Sequence, residues 1–99
     1  MFDLKFKYTI IVAIYNVADF IEDMADSVIN QSIGFKENIQ LILVNDGSTD
    51  HSGEICEKLQ QKHPENIVYI YQDNAGVSAA RNNGLKYAAG EYVNFLDGD

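Results

Sequence analysis

The chain has 99 residues, enough for one small domain with a core and too few for two. Apolar residues make up 46% and charged residues 22%, an ordinary composition for a water-soluble domain. The 15 acidic and 7 basic side chains give a formal net charge of −8, which argues against nucleic acid as a partner; an anionic ligand would have to be met by backbone N–H groups or a divalent cation.

The first element is the run Tyr8–Ile14, YTIIVAI, apolar and β-branched as a strand buried on both faces must be. Seven residues are too short for a membrane span and lack the layout of a signal peptide. Asp19 with Glu22 three residues on resembles a capping box. It predicts a helix ending near Gln31, with Phe20, Met24 and Val28 as its apolar stripe and Ile21 and Ala25 beside it. Gly34–Asn38 reads as a short polar connection. Ile39–Asn45 is the second strand, and the turn Asp46-Gly47-Ser48-Thr49 follows it directly.

Asp50 can cap a second helix that carries Ile55 and Leu59 on one face and runs to about Lys62, ahead of Pro64. Cys56, the only cysteine, falls inside this helix as a small, partly buried side chain. It can form no internal disulfide, so a reducing, cytoplasmic setting is expected. Ile67–Tyr71 is a third strand, with Tyr69 and Tyr71 as sheet-face packing residues. Asp73-Asn74-Ala75-Gly76 is a turn. Val77–Ala88 is a third helix whose Ala79, Ala80, Leu85 and Ala88 allow close packing on a sheet, and Glu91–Leu96 is a fourth strand. Apolar strands alternating with amphipathic helices predict an α/β fold with a mainly parallel sheet covered on both faces.

Ligands of such sheets bind beyond the C-terminal ends of the strands. There the sequence places Tyr15 and Asn16, then Asn45, Asp46 and Gly47, then Asp73, Asn74 and Gly76, and finally Asp97, Gly98 and Asp99. Each group alone is explained by turn chemistry; their gathering at one edge is the informative feature. Two carboxylates separated by one glycine repel each other unless a divalent cation lies between them, and Mg2+ or Mn2+ favours such oxygen ligands beside substrate phosphates. Neither a G-x-G-x-x-G nor a phosphate-binding loop with G-K-[ST] is present. His51 and His63 lack metal-site spacing and read as surface residues.

These residues carry a resemblance. Val12-Ala13-Ile14-Tyr15-Asn16, Ser27-Val28-Ile29-Asn30-Gln31-Ser32 and Leu43-Val44-Asn45-Asp46-Gly47-Ser48-Thr49-Asp50 are similar, in order, to stretches of family 2 glycosyltransferases with the GT-A fold. So are the stretch from Asn74 to Gly84, NAGVSAARNNG, and the stretch from Gly90 to Asp99, GEYVNFLDGD. The resemblance implies a three-layer α/β/α sandwich and a nucleotide-sugar donor site. In it Ala13 and Tyr15 lie against the base, Asp46 accepts from uracil N3–H, and Gly76 admits the nucleotide closely. Arg81 and Asn82 brace the pocket, Arg81 pairing with a carboxylate of the Asp-x-Asp turn. Asp97 meets the ribose or a metal-bound water, and Asp99 binds Mn2+ or Mg2+. Asn45 departs from the family pattern, where many members carry a second aspartate.

The implied reaction is direct displacement at the anomeric carbon by an acceptor hydroxyl, with inversion, most simply from a UDP-sugar and in cell-surface polysaccharide or glycan synthesis. Residues 1–99 would then be the N-terminal, donor-binding part of a longer domain, inactive and of marginal stability alone. The catalytic base and the site for a glycan or lipid-linked acceptor would lie beyond Asp99. Peripheral association of the full-length protein with the inner face of the membrane is open on this reading, as is a homo-oligomer. The alternatives are a truncated or non-catalytic nucleotide-sugar-binding fragment, and a nucleotidyltransferase of similar fold. The latter usually places a basic, glycine-rich loop after the first strand, where this chain has Tyr15-Asn16.

Overall fold

The apolar runs become the middle of a sheet. The computed structural model describes residues 5–30 and 34–97, Asp97 through its backbone alone. Strands β1 (Phe6–Ile14), β2 (Ile39–Asp46), β3 (Ile67–Gln72) and β4 (Gly90–Asp97) pair in parallel in the order β3-β2-β1-β4. Every residue of β2 is buried, as an internal strand covered on both faces requires. Helices α1 (Ala18–Ile29), α3 (Ser52–Lys62) and α4 (Val77–Leu85) make the crossovers, and a single turn of helix, α2 (Phe35–Asn38), precedes β2.

Alternation along the strands sorts the core into two layers. On one face Ile10, Val12, Ile14, Leu41 and Leu43 pack against Ile21, Ala25 and Val28 of α1 and Cys56 and Leu59 of α3. On the other, Ile11, Ile42 and Val44 pack against Ala80 of α4. The result is the expected α/β/α sandwich.

The helix faces differ in detail from expectation. On α1 the buried row is Ile21, Ala25 and Val28, while Phe20 is 56% exposed and Met24 half-buried. α1 ends at Ile29, and Gln31 lies outside the described residues. α4 stops at Leu85, short of Ala88, and passes into turns closed by Tyr87 N–H to Gly84 O and Ala88 N–H to Leu85 O. Its buried residues are Ala80 and Gly84, four apart and hence on one face; Leu85, one step round the helix, is 43% exposed. Gly84 is the contact point: a Cβ there would stand 2.7 Å from Ile11 Cγ2 and 3.2 Å from Val44 Cγ2.

Buried polar side chains fasten the connections. Thr9 Oγ1 donates to Gln40 Oε1 at 2.7 Å, and Gln40 Nε2 donates to Tyr87 O at 2.9 Å. Ala89 N–H donates to Gln40 Oε1 and Gly90 N–H to Thr9 Oγ1, which seats the entry into β4. Gly34–Asn38 is more than a polar connection: Phe35 is buried, and Asn66 Nδ2 reaches the carbonyl oxygens of Phe35, Lys36 and Ile39. Cys56 is fully buried, and burial, aided by the charges of Asp50 and Glu57, pushes its thiol up to about 12, leaving it unreactive. His51 is exposed beside Glu54, whereas His63 is half-buried, edge-on to Phe35.

The loops after β1 and β2 are laced together. Asn16, in the left-handed region at φ 51°, turns the chain sharply after Tyr15. Its Oδ1 accepts from Thr49 N–H at 2.8 Å and from Asp50 N–H at 3.3 Å, and its own N–H donates to Ser48 Oγ. Asp19 is not the cap of α1; it sits in the first turn of a helix whose N-cap is Val17. The capping acceptors come from the other loop, Ser52 Oγ for Val17 N–H and Asp50 Oδ2 for Ala18 N–H. Asp50 Oδ1 also accepts from Ser52 N–H at 2.9 Å, so one carboxylate serves the starts of α1 and α3. Burial pushes the Asp50 carboxyl up, but the Ser52 hydroxyl and the Ser52 and Ala18 amides outweigh it and hold it below its ordinary value.

Two outcomes are expected. Gly84→Leu will lower stability by about 2 kcal/mol in denaturant titration despite its better helix propensity, because the side chain has no room between Ile11 and Val44. Asp50→Ala will cost about 1 kcal/mol at pH 7. Because the folded-state pKa of Asp50 is depressed, its contribution is complete above the unfolded carboxylate value near ~3.9 and is lost as pH falls through the lower folded value. The gap between wild-type and mutant unfolding midpoints should therefore close in acid.

Candidate functional site

The strand order reverses between β1 and β4: the chain lays β1, β2 and β3 in one direction and then crosses back to place β4 beyond β1. This is a topological switch point, where a crevice opens at the C-terminal ends of the strands. Ala13 and Asp97 are register partners across it. Ala13 is half-buried on the face that α4 covers, and Tyr15, just past β1, is 49% exposed.

Asp46 ends β2 one strand away and in register with Gln72, the last residue of β3. It follows Val44 by two, and Gln72 follows Ile70 by two, so both continue the α4-facing rows. Asp46 is only 4% exposed, and its carboxylate is enclosed by donors. Oδ1 accepts from Gln72 Nε2 at 2.9 Å and Ala75 N–H at 2.8 Å; Oδ2 accepts from Gly76 N–H at 3.0 Å and Asn74 Nδ2 at 3.2 Å. Four donors fill the four acceptor positions of a carboxylate. Asn74 is the least committed, since the same amide reaches Asp46 O at 3.0 Å.

The loop can close on Asp46 because of two glycines. Gly47 has φ +72°, and a Cβ there would meet Asn74 N at 2.7 Å. Gly76 has φ 100° and ψ 164°, a region open to glycine almost alone, and it is the N-cap residue of α4. No atom lies within 4 Å of a Cβ built on Gly76, so backbone conformation, not space, demands glycine there.

Asn45 is buried and committed to structure: its Nδ2 donates to Tyr69 Oη and its Oδ1 accepts from Ser48 N–H, both at 3.0 Å. The amide supplies one donor and one acceptor, which a carboxylate could not. Burial raises the Tyr69 phenol, with the Asn45 hydrogen bond opposing it. Tyr71, expected to pack on the sheet, is largely exposed.

On α4, Arg81 is half-buried with its guanidinium carbon 5.4 Å from the centroid of the Phe95 ring, a cation–π contact that ties the helix to β4. Asn82 is exposed. Its neighbour Asn83 reaches the site instead, donating from Nδ2 to Gln72 Oε1 at 2.9 Å. Gln72, Asn74 and Asn83 carry the architecture around Asp46; Asn74 and Asn83 fall within the family-like stretch but had no role given to them, and the available signal for Gln72 was a polar residue ending β3 opposite an aspartate.

Among the described residues no group of three or more His, Cys, Asp and Glu side chains could hold a metal ion. The expected ligand Asp99 and the turn residue Gly98 lie outside the described residues, as does the side chain of Asp97. No helix among the described residues is long and apolar enough to cross a membrane.

Comparison with known proteins follows the same lines. The minor teichoic acid biosynthesis protein GgaB of Bacillus subtilis (strain 168) is 55% identical over 95 residues, covering 96% of this chain and 10% of that protein. S. aureus TarS 1-349 in complex with UDP-GlcNAc matches with a TM-score of 0.84 at 34% identity, covering 94% of this chain and 26% of that one. The mannosyltransferase PcManGT from Pyrobaculum calidifontis, in complex with GDP-Man and Mn2+, matches with a TM-score of 0.83 at 26% identity, covering 100% of this chain and 30% of that one. The chain thus spans less than a third of each relative. The sequence also fits the family profile named Glycosyl transferase family 2 over residues 9–99, and with the parallel GT-A sheet and its switch point in place, the chain belongs to that family.

Proposed function

We propose that this chain forms the donor half of a metal-dependent, inverting glycosyltransferase that moves a sugar from a nucleoside diphosphate, UDP above all, to an acceptor hydroxyl in cell-surface glycan synthesis. The observation that carries the reading is Asp46: a buried carboxylate at the C-terminal sheet edge, held rigid by Gln72, Ala75 and Gly76. Uracil N3–H would take Oδ2 in place of the Asn74 amide, which keeps its bond to Asp46 O. The exposed Tyr15 ring and Ala13 would line the base, and the Gly76 backbone at the head of α4 would lie close to the nucleotide. Arg81, braced on Phe95, and Asn82 would border the pocket on the α4 side.

The phosphate end is set by chemistry. Asp97 lies at the switch point opposite Ala13, and a pair of carboxylates with Asp99 is a hard oxygen donor set that suits Mn2+ or Mg2+. Asp99 would ligate the ion and Asp97 the ribose or a metal-bound water. When bound, such an ion offsets charge on the departing diphosphate. The acceptor hydroxyl attacks the anomeric carbon from the face opposite the leaving group, and a carboxylate base from outside these residues takes its proton. A cytoplasmic location with the acceptor on a glycan or membrane lipid accords with the free, buried thiol of Cys56 and with the teichoic acid relative.

Expected outcomes in the full-length protein are as follows. Wild type will bind UDP more tightly than CDP, whose base lacks N3–H, and Asp46→Asn will reduce that preference about tenfold in calorimetry. Equal affinity of wild type for the two would remove uracil from the reading. UDP affinity will fall when divalent cations are chelated, and Asp99→Ala will abolish turnover while keeping the wild-type circular dichroism spectrum; metal-independent UDP affinity would sink the metal role.

A further inference from the structure

We infer that Gln72 and Asn83 are positioning residues for base recognition: an amide relay from α4 through β3 that locks Asp46 in the orientation its ligand needs. The inference rests on the reading of Asp46 as the base acceptor and extends it to Gln72, outside the family-like stretches described above, and to Asn83, which lies inside the stretch from Asn74 to Gly84 with no role given to it there.

The direction of the relay follows from the carboxylate. A carboxylate offers acceptors and no donor, so the Gln72 amide presents Nε2 to Asp46 Oδ1, 2.9 Å away. That turns Gln72 Oε1 outward, where it accepts from Asn83 Nδ2, also at 2.9 Å. Asn83 sits on α4 beside Gly84, the residue pressed onto Ile11 and Val44, so its backbone is held where the helix packs closest. Gln72 is fixed by its register with Asp46. The relay therefore has a rigid anchor at each end and one permitted orientation between. Oδ1 is bound by Gln72 and the Ala75 amide, while the shared Asn74 donor at Oδ2 is free to yield. The relay keeps Oδ1 engaged and directs exchange to Oδ2.

Two isosteric substitutions separate this role from packing. Gln72→Glu sets a second carboxylate 2.9 Å from Asp46 Oδ1. At low pH the two share one proton, which restores a donor to Asp46; at higher pH both ionise and repel. The ratio of mutant to wild-type Kd for UDP, measured by calorimetry at each pH, should stay near one at about pH 5 and rise about tenfold or more by about pH 8. Asn83→Asp offers an acceptor to Gln72, draws Nε2 away from Asp46 and turns Oε1 toward it. It should cut the preference for UDP over CDP about fivefold or more with little change in unfolding midpoint. If wild type prefers UDP and either variant matches it in these readouts, the relay is overturned and the base reading stands. If wild type does not prefer UDP over CDP, the base reading falls and the relay falls with it.

Discussion

The donor cage around the Asp46 carboxylate is the interaction on which the rest of the site depends. It joins the end of β2, the end of β3 and the turn that leads into α4. A buried carboxylate without partners would be too costly to keep ionised. Four donors make it tolerable, two of them backbone amides that are available only because Gly76 adopts a glycine conformation and Gly47 lets the turn come close. Removing Asp46 would therefore leave two backbone amides and two side-chain donors without their shared acceptor, and the start of α4 would lose its seat.

A second lace supports the first. Asn16 collects the Thr49 and Asp50 amides, and Asp50 collects the Ala18 and Ser52 amides. The loops after β1 and β2 are thereby tied together, which sets Tyr15 relative to Asp46. Neither loop is regular structure, yet their polar backbone groups are matched to side chains, and among the described residues no buried side-chain nitrogen or oxygen is left unpartnered. A site built on loops gains rigidity this way without extra core.

The sheet was legible in the sequence because a parallel strand covered on both faces needs a continuous apolar run, and IIVAI and LILV can be little else. Asp46, Gly47 and Gly76 were legible as well, since turn chemistry is local. What was hidden depends on partners far away in the chain. The cap of α1 comes from Asp50 rather than Asp19, 32 residues from the amide it serves. α2 is too short to show a period; Phe35 packs into the core, and its backbone carbonyl is held by Asn66, just ahead of β3. Leu85 read as packing by hydrophobicity alone, whereas Gly84 takes the contact because the layer is too thin for a side chain. Gln72 and Asn83 acquire meaning only once register and crossover bring them to Asp46.

The two ends of the proposed site solve opposite electrostatic problems in a chain of net charge −8. At the base end, the Asp46 carboxylate is enclosed by two backbone amides and two side-chain amides, which would make it a directional acceptor for the proposed base. At the phosphate end, Asp97 and Asp99 would add negative charge where the proposed diphosphate would sit. On that proposal the same residue type would serve recognition where donors enclose it and, beside the phosphates, charge balance through a bound cation. Proximity of the two environments, a switch point and one strand apart, is what would let a single small sheet hold both halves of a nucleoside diphosphate.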